Sequence, residues 1–280
     1  MTKRIGIYNG SLDQLDKIVV SPMSRAFLFS DSIYEVIPFH KSEFIGFQAH
    51  IERLERSAAM LDINIDINLC AQEIILLKER SQFPSGYIYY QVSRGIDKKR
   101  SHIFSGGIPE TFGFAESHKF QQSAIKVKLV PDIRWGRCDI KSTSLLGNTM
   151  QMNSADKDGC SEVIMHRDNI LTEGGASNIF LVLDDVIKTP SLDQNILPGI
   201  TRDLVIHTIA ELDLKVMETE CFVEDLKIAN SIWFTSSTKG ITEVESISNL
   251  DTSIKKGHPI FSEVSKRYIE KFLTLSLIHI

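Results

Sequence analysis

The sequence predicts an α+β protein of two domains. Strand-like and helix-like segments alternate in both halves, but without the regular strand–helix–strand period of a doubly wound sheet. A polar stretch near residues 115–122 separates the halves and is read as a linker. We therefore expect a smaller N-terminal α+β domain over residues 1–118 and a larger β-rich domain over residues 119–280.

The elements of the first half follow from turn signals and periodicity. Asn9-Gly10 is a strong hairpin signal after the alternating Ile5 and Ile7. Apolar residues share one face over 51–61, which predicts a helix. The further expected elements are a strand over 32–37, a helix around 74–77 and a strand over 87–92.

The second half is expected to be richer in strands. Apolar residues alternate with lysines over 125–129, as in a half-buried strand. The remaining predictions are a hairpin over 179–187 that turns at Asp184-Asp185, a helix over 201–212, a strand over 232–234, and a last helix that aligns Val264, Tyr268 and Phe272.

Composition narrows the class of protein. The net charge of -5 offers no broad attraction to nucleic acid or to an anionic membrane. The sequence contains no apolar run long enough to cross a bilayer. The four cysteines, Cys70, Cys138, Cys160 and Cys221, lack metal-type spacing and are interpreted as reduced core thiols. A soluble cytoplasmic protein without a metal site is expected.

Lys141 is the first candidate for chemistry. It stands in Asp139-Ile140-Lys141-Ser142, a stretch bounded by apolar residues and followed by Leu145-Leu146-Gly147-Asn148. Such a lysine can extend its amine to solvent or pair with a carboxylate. Alternatively, burial with a lowered pKa makes a lysine suited to Schiff-base chemistry.

Two further segments combine glycines with polar groups. In Thr172-Glu173-Gly174-Gly175, the glycines permit close approach of a ligand to the backbone, although a solvated loop is an alternative. Gly199-Ile200-Thr201 precedes a predicted helix, so Thr201 is either a simple N-cap or part of a phosphate site. Ser236 and Ser237, after a strand, either add donors to the same anion or belong to an ordinary loop.

The order and spacing of these segments resemble the fold-type IV pyridoxal-phosphate enzymes, the class IV aminotransferase family. This family includes D-amino-acid aminotransferases, branched-chain aminotransferases and aminodeoxychorismate lyases. The resemblance is strongest to the first group and is carried by the segments Pro131-Asp132-Ile133-Arg134-Trp135, Arg137-Cys138-Asp139-Ile140-Lys141-Ser142, Thr172-Glu173-Gly174 and Gly199-Ile200-Thr201-Arg202-Asp203.

The resemblance implies the two-domain fold-type IV architecture, with pyridoxal 5'-phosphate held between the domains. Lys141 would carry the cofactor as an internal Schiff base, and its freed amine would later move the substrate proton. Glu173 would face the pyridine nitrogen and keep it protonated.

The resemblance also assigns the other cofactor contacts. Arg53, the helix start at Ile200 and Thr201, and Ser236 or Ser237 would hold the phosphate. The alternative for Arg53 is a surface arginine paired with Glu52 or Glu55. Further roles are implied for Leu197, packed on the cofactor ring or else a core leucine, and for Arg134, near the phenolic oxygen.

Tyr34, Arg100 and His102 resemble the residues that bind the substrate carboxylate in D-amino-acid aminotransferases. In that group the arginine and histidine reach in from the neighbouring subunit, which implies a homodimer. An arginine fork beside a second donor suits a planar carboxylate. The alternative is that Lys98-Lys99-Arg100 is a charged run that faces solvent.

The activity implied is transfer of the amino group between a D-amino acid, such as D-alanine or D-glutamate, and a 2-oxo acid. Three other functions stay open. They are 4-amino-4-deoxychorismate lyase activity with release of pyruvate, L-branched-chain aminotransferase activity, and a non-catalytic binding role, which the presence of Lys141 and Glu173 disfavours.

Several positions depart from the family pattern. Ser30 and Ser32 flank Asp31 where glycines are usual, and Ala26 follows Arg25 where a glycine is usual. The loop between Arg94 and Arg100 is one residue longer than expected, and Ala176 stands where relatives often carry serine. These departures concern the substrate side rather than the cofactor contacts.

Overall fold

The computed structural model describes residues 4–120 and 123–273. They form two compact units. The first consists of the described residues of Met1–Lys119 together with Ile140–Ser144, and the second of those of Phe120–Asp139 and Leu145–Ile280. Each unit combines a sheet with helices, so the predicted α+β class is confirmed. The domain limits 1–118 and 119–280 remain a prediction, and Ile140–Ser144 groups with the first unit despite its place in the sequence.

The strands of the first unit are β1 (Ile5–Tyr8), β2 (Ser11–Gln14), β3 (Ser32–His40), β4 (Glu43–Phe44), β5 (Ser85–Ser93) and β6 (Glu110–Ser117). Its helices are α1 (Arg25–Phe29), α2 (Phe47–Met60) and α3 (Ile67–Ser81), with a short 3-10 helix at Leu15–Lys17. In the described residues of this unit, six strands form one antiparallel sheet in the order β2-β1-β6-β5-β3-β4.

Side-chain alternation explains this sheet. In β5, Ile88, Tyr90 and Val92 point to one face and are fully buried in a core shared with α2 and α3. The β1–β2 turn is made by Asn9 and Gly10, with φ angles of 47° and 80°, as a two-residue hairpin turn of this twist requires.

The predicted linker over 115–122 was partly wrong. Ala115 to Ser117 form the end of β6 and pair with Ile88 to Gly86 of β5. Polar composition at the end of an antiparallel strand resembles that of a linker, because only one face needs to be apolar. Residues 118–120 are irregular, and residues 121 and 122 lie outside the described residues.

The strands of the second unit are β7 (Ile125–Pro131), β8 (Glu162–Arg167), β9 (Ile170–Gly174), β10 (Asn178–Leu183), β11 (Val186–Pro190), β12 (Val216–Thr219), β13 (Ser231–Ser236) and β14 (Gly240–Ile247). Its helices are α4 (Leu146–Lys157), α5 (Ile200–Glu211), α6 (Val223–Ile228) and α7 (Pro259–Phe272). Among the residues described, eight strands form a mixed sheet in the order β12-β11-β10-β13-β14-β7-β8-β9.

Both faces of this sheet are covered. Every residue of β10 is buried, with Ile179 and Leu181 in one core and Phe180 and Val182 in another. The second core includes residues of α5 and α7, and Phe180 stacks on Trp233 at a ring-centroid distance of 5.7 Å. A run that is apolar at every position is typical of a strand covered on both sides.

Two predictions from composition can be compared with the structure. All four cysteines are buried and none forms a disulfide, as expected for reduced core thiols. None of the helices in residues 4–120 and 123–273 has both the length and the apolar character needed to cross a membrane.

Candidate active site

Lys141 is fixed by backbone pairing inside the first unit. Its carbonyl accepts a hydrogen bond from the Tyr34 N–H of β3 at 2.9 Å, and its own N–H donates to Ser57 Oγ of α2 at 3.4 Å. The Lys141 Nζ atom lies 4.4 Å from the centre of the Tyr34 ring. Among the described residues of this unit, no carboxylate is within salt-bridge distance of Lys141. The structure thus brings together two of the predicted site residues, an amine and a phenol.

Arg53 belongs to a buried ionic cluster rather than to the surface. It is 3% exposed, and its Nε and Nη2 atoms donate to the two oxygens of Glu35 at 2.8 Å and 2.7 Å. His50 Nδ1 lies 2.7 Å from Glu35 Oε2. Burial raises the pKa of Glu35, but the charge of Arg53 outweighs it and holds that pKa well below its ordinary value. The alternative of a surface arginine is wrong.

Arg100 and His102 lie on the loop between β5 and β6, and both are exposed. Both pack on one aromatic ring. The Arg100 Cζ atom is 4.8 Å from the centre of the Phe29 ring, and the His102 ring centre is 5.4 Å from it. The two predicted carboxylate-binding side chains therefore contact the same aromatic ring.

Glu173 lies at the end of β9, in the second unit, and is 5% exposed. Arg134 Nη1 donates to one carboxylate oxygen. Asn178 Nδ2 and the Leu197 N–H donate to the other oxygen at 3.0 Å and 3.1 Å. Burial raises the pKa of Glu173 to about 7, although the charge of Arg134 opposes this.

Arg134 is held by Asp132 as well as by Glu173. Its Nε and Nη2 atoms donate to the two oxygens of Asp132 at 2.9 Å and 2.8 Å. Burial raises the pKa of Asp132, but the bonds from Arg134 outweigh it and lower that pKa to about 2. Asp132 thus stays ionised and fixes the guanidinium against Glu173.

A short segment connects Glu173 to the start of α5. Asn178 Nδ2, which contacts Glu173, also donates to the Leu197 carbonyl at 2.9 Å. Gly199 is the N-cap of α5, and no side chain caps the helix there. The first N–H groups of the helix, at Ile200 and Thr201, belong to the turn whose donors commonly bind anions.

The turn after β13 lies beside this helix start. Tyr268 of α7 lies near the Thr201 side chain, and a Cβ added at Gly240 would lie 3.2 Å from the Tyr268 ring. Ser236 is the β13 partner of Gly240, and its hydroxyl accepts the Lys239 N–H at 3.2 Å. The half-buried Ser236 and Ser237 therefore occupy the same end of the second unit as Ile200 and Thr201.

Sequence reasoning missed three residues that organise these groups: Glu35, Asp132 and Asn178. Glu35 gave a signal, since it stands between Ile33 and Ile37 on the buried face of β3. A carboxylate in that position needs a buried cation. Asp132 also gave a signal, because its partner Arg134 stands two residues further along the chain. Asn178 gave none, because its partner Leu197 is 19 residues away.

Gly199 packs so closely on Asn178 that a larger residue at position 199 is expected to destabilise the protein. A methyl group on Gly199 would lie 2.0 Å from Asn178 Oδ1. We expect Gly199→Ala to displace Asn178 and lower the free energy of unfolding by about 1–3 kcal/mol. Urea denaturation measures this change in the free energy of unfolding. Gly136→Ala is the control, since its methyl would meet no described atom within 4 Å and should change stability little. Equal stability of Gly199→Ala and the parent would contradict the packing described.

The raised pKa of Glu173 is expected to make the stability of the protein depend on pH. Between its ordinary value of 4.5 and about 7, the carboxyl is protonated in the folded cofactor-free protein but ionised in the unfolded chain. Stability must therefore fall as pH rises through this range. Relative to Glu173→Gln, the parent should lose up to about 3 kcal/mol of unfolding free energy. Urea denaturation at pH 5 and pH 8 tests this, and a pH-independent difference between the two proteins would refute it.

Comparison with known proteins identifies the family. The family model for amino-transferase class IV matches residues 32–247. A D-alanine aminotransferase of Listeria monocytogenes serotype 4b (strain F2365) is 31% identical over 278 residues, 95% of this chain and 96% of the relative. The chain belongs to the class IV aminotransferase family, and it is an enzyme of that family.

Solved structures share the fold. A branched-chain amino acid aminotransferase from Escherichia coli matches with a TM-score of 0.86 at 22% identity, over 97% of this chain and 95% of that one. Another branched-chain amino acid aminotransferase, complexed with N-(5'-phosphopyridoxyl)-L-glutamate, matches with a TM-score of 0.87 at 20% identity, over 98% of this chain and 95% of that one. The predicted fold-type IV architecture is confirmed.

A structure of a different enzyme class shares the fold as well. A Legionella pneumophila protein described as a putative 4-amino-4-deoxychorismate lyase matches with a TM-score of 0.80 at 24% identity, over 90% of this chain and 95% of that one. The fold alone therefore does not distinguish an aminotransferase from a lyase.

Proposed function

We propose that this enzyme uses pyridoxal phosphate to transfer the amino group between a D-amino acid, such as D-alanine or D-glutamate, and a 2-oxo acid. The observation that carries the D-amino-acid part is the packing of Arg100 and His102 on the single ring of Phe29. Both side chains can then donate to one planar carboxylate. The similarity to a D-alanine aminotransferase along most of the chain supports the same substrate class.

The second unit fits pyridoxal phosphate. The buried Glu173 carboxylate, with a pKa near 7, is suited to accept a hydrogen bond from a protonated ring nitrogen. The uncapped start of α5 and the hydroxyl groups of Ser236 and Ser237 are suited to a phosphate. Both groups are connected through Asn178 and Leu197, so one molecule with a ring nitrogen and a phosphate can engage them.

When bound, pyridoxal phosphate supplies an aldehyde that joins amines covalently and a ring that accepts the electron pair released at the substrate α-carbon. Lys141 is the catalytic residue in our proposal. Its amine would attach the cofactor covalently, and the free Nζ would serve as the base that moves the proton at the substrate α-carbon. The Tyr34 ring beside Nζ limits where the amine can point.

The other roles follow the same assignment. Glu173 would keep the ring nitrogen protonated, and Leu197 would pack on the ring. The phosphate is held by Arg53, the N–H groups at Ile200 and Thr201, and Ser236 or Ser237. The contact of Arg134 with Glu173 supports a position of Arg134 near the residue that would face the ring nitrogen. A contact of Arg134 with the phenolic oxygen stays a prediction. Tyr34, Arg100 and His102 bind the substrate carboxylate.

We further propose that the enzyme is a homodimer in the cytoplasm. Large apolar side chains are exposed on and near the loop that carries Arg100, including Ile103 (81% exposed), Ile108 (86%) and Phe27 (72%). Exposure of this kind marks surfaces that associate. Four buried cysteines without disulfides support a reducing compartment. Light scattering should give twice the chain mass, and a monomer at micromolar concentration would contradict the dimer.

A panel of amino donors tests the proposed function. The purified holoenzyme is incubated with 2-oxoglutarate and D-alanine, L-alanine or L-leucine, and separately with 4-amino-4-deoxychorismate. We expect pyruvate to form from D-alanine at a rate at least about a hundredfold above the rates with the L-amino acids. A substrate that loses a paired polar contact with the enzyme reacts more slowly by a factor of this size. Pyruvate released from aminodeoxychorismate alone would replace the transaminase proposal with a lyase. Preference for L-leucine would replace it with a branched-chain aminotransferase.

A further inference from the structure

Four charged residues of the first unit, two of them buried and two partly buried, form a cluster that has no part in the roles above. We call Arg25, Asp31, Arg94 and Asp97 the Arg25 cluster. Arg25 and Asp97 are 5% and 3% exposed. Arg25 Nε donates to Asp31 Oδ2 at 2.7 Å and Arg25 Nη1 to Asp97 Oδ2 at 2.7 Å. Arg94 Nε donates to Asp31 Oδ2 at 2.8 Å. The cluster balances two cations with two anions.

Arg25 also binds the backbone of the loop that carries Arg100 and His102. Its Nη1 atom donates to the Ser101 carbonyl at 2.8 Å, and its Nη2 atom to the His102 carbonyl at 3.3 Å. Ser101 is the residue between Arg100 and His102. One guanidinium therefore fixes the peptide groups directly beside both predicted carboxylate-binding side chains.

Asp97 holds the loop at a second point. Its Oδ1 atom accepts a hydrogen bond from the Ser105 hydroxyl at 3.0 Å and from the Ser105 N–H at 3.4 Å. Its Oδ2 atom is bound to Arg25. The carboxylate thus spans the loop from residue 97 to residue 105, on both sides of Arg100 and His102, and ties each end to α1 through Arg25.

The other end of the cluster is attached to rigid elements. Arg94 donates to the carbonyls of Leu61 and Asp62, which follow α2, at 2.6 Å and 3.2 Å. Burial raises the pKa of Asp31, but the bonds from Arg94 and Arg25 outweigh it and keep that pKa below its ordinary value. The charges that hold the loop are therefore present at neutral pH.

The same helix supplies the ring on which the functional side chains rest. Phe29 is the last residue of α1, and Arg25 Cζ lies 4.8 Å from its centre. Arg100 Cζ lies at the same distance of 4.8 Å from this ring. A guanidinium over an aromatic ring is an attractive contact. Arg25 therefore orients Phe29 and the loop backbone together, and these two supports set the positions of Arg100 and His102.

We propose that Arg25 and Asp97 are positioning residues for recognition of the substrate α-carboxylate. They act by fixing the loop over residues 97–105 against α1. The inference rests on the proposed function, since it requires that Arg100 and His102 bind that carboxylate. Neither Arg25 nor Asp97 touches the substrate. Their removal leaves Lys141 and Glu173 unchanged, so substrate binding falls while the chemical step at saturation is kept.

Asp97→Asn tests this. It keeps the size of the side chain but removes the charge that binds Arg25. We expect the KM for D-alanine to rise about tenfold to a hundredfold, because small misplacement of binding groups has effects of this size. The kcat should stay within about threefold of the parent. Ser105→Ala, an exposed change that cannot unfold the core, should raise the KM about fivefold by loss of one hydrogen bond to Asp97.

D-Alaninol supplies a readout that a general loss of structure would not give, because it has the amine but lacks the carboxylate. Its binding, followed by the visible spectrum of the holoenzyme, should be the same in the parent and in Asp97→Asn. Glu73→Gln is the matched control: Glu73 is a carboxylate of the same unit, 4% exposed and bonded to Tyr90. It should leave the KM for D-alanine unchanged.

The outcomes separate the two proposals. Weaker binding of D-alanine with unchanged binding of D-alaninol supports the positioning role. Equal weakening of both ligands, or an unchanged KM in both Asp97→Asn and Ser105→Ala, overturns the positioning role and leaves the proposed function standing. If the parent does not transaminate D-alanine, the proposed function fails, and with it the inference that depends on it.

Discussion

Lys141→Ala should abolish transamination. The substitution removes the amine that attaches the cofactor and the base that moves the substrate proton, so we expect kcat to fall at least about a thousandfold. The fold should be retained, because the backbone bonds of residue 141 to Tyr34 and Ser57 do not involve its side chain. Steady-state turnover of D-alanine and the visible absorption of the bound cofactor measure the effect, and both should be lost.

Lys227→Ala is the control for this experiment. Lys227 is an exposed lysine of α6 and has no role in the proposed site. It should leave both turnover and the visible absorption unchanged. If Lys141→Ala retained a cofactor adduct that borohydride fixes to the protein, another lysine would be the attachment point and the assignment of Lys141 would be refuted.

Glu35→Gln should strongly destabilise the first unit. Glu35 has no exposed surface and neutralises Arg53, which is itself buried. Loss of the carboxylate charge breaks the buried ion pair of Glu35 with Arg53, and breaking such a pair costs about 3–5 kcal/mol. Urea denaturation followed by circular dichroism measures the loss. It should be accompanied by weaker phosphate binding if Arg53 holds the cofactor phosphate.

Glu110→Gln provides a comparison with a buried carboxylate of the same unit. Glu110 is 7% exposed and accepts hydrogen bonds from the hydroxyl groups of Tyr8, Ser24 and Ser93. Because these partners are neutral and can reorient, we expect a loss of only about 1 kcal/mol. Equal losses for Glu35→Gln and Glu110→Gln would show that the charge of Arg53 is not what makes Glu35 necessary.

Local patterns in the sequence predicted most of the secondary structure. The Asn9-Gly10 and Asp184-Asp185 turns are found, because the positive φ angles they require restrict the residues that can occupy them. The helix predicted over 51–61 lies within α2 (Phe47–Met60), apart from its last residue. Residues 115–117 were wrongly predicted to be part of a linker, because no local pattern marks them as a strand. They are held in β6 by pairing with β5 and not by their own composition.

The site was predicted less completely than the fold. Lys141 was found by its resemblance to a family motif, but its place in the first unit depends on pairing of Ile140–Ser144 with β3, which is distant in the sequence. The contact between Arg134 and Glu173 likewise joins residues that only the folded sheet brings together. Such contacts carry no local sequence signal.

The chirality of the amino acid product distinguishes a D-amino-acid aminotransferase from the alternative enzymes. The holoenzyme is given D-alanine and 2-oxoglutarate, and pyruvate and the two enantiomers of glutamate are measured in the same sample. A D-amino-acid aminotransferase must form one D-glutamate for each pyruvate, since the amino group is only transferred. We predict this equal ratio with D-glutamate as the product. Formation of L-glutamate, or of pyruvate without glutamate, would show that the enzyme is not a D-amino-acid aminotransferase.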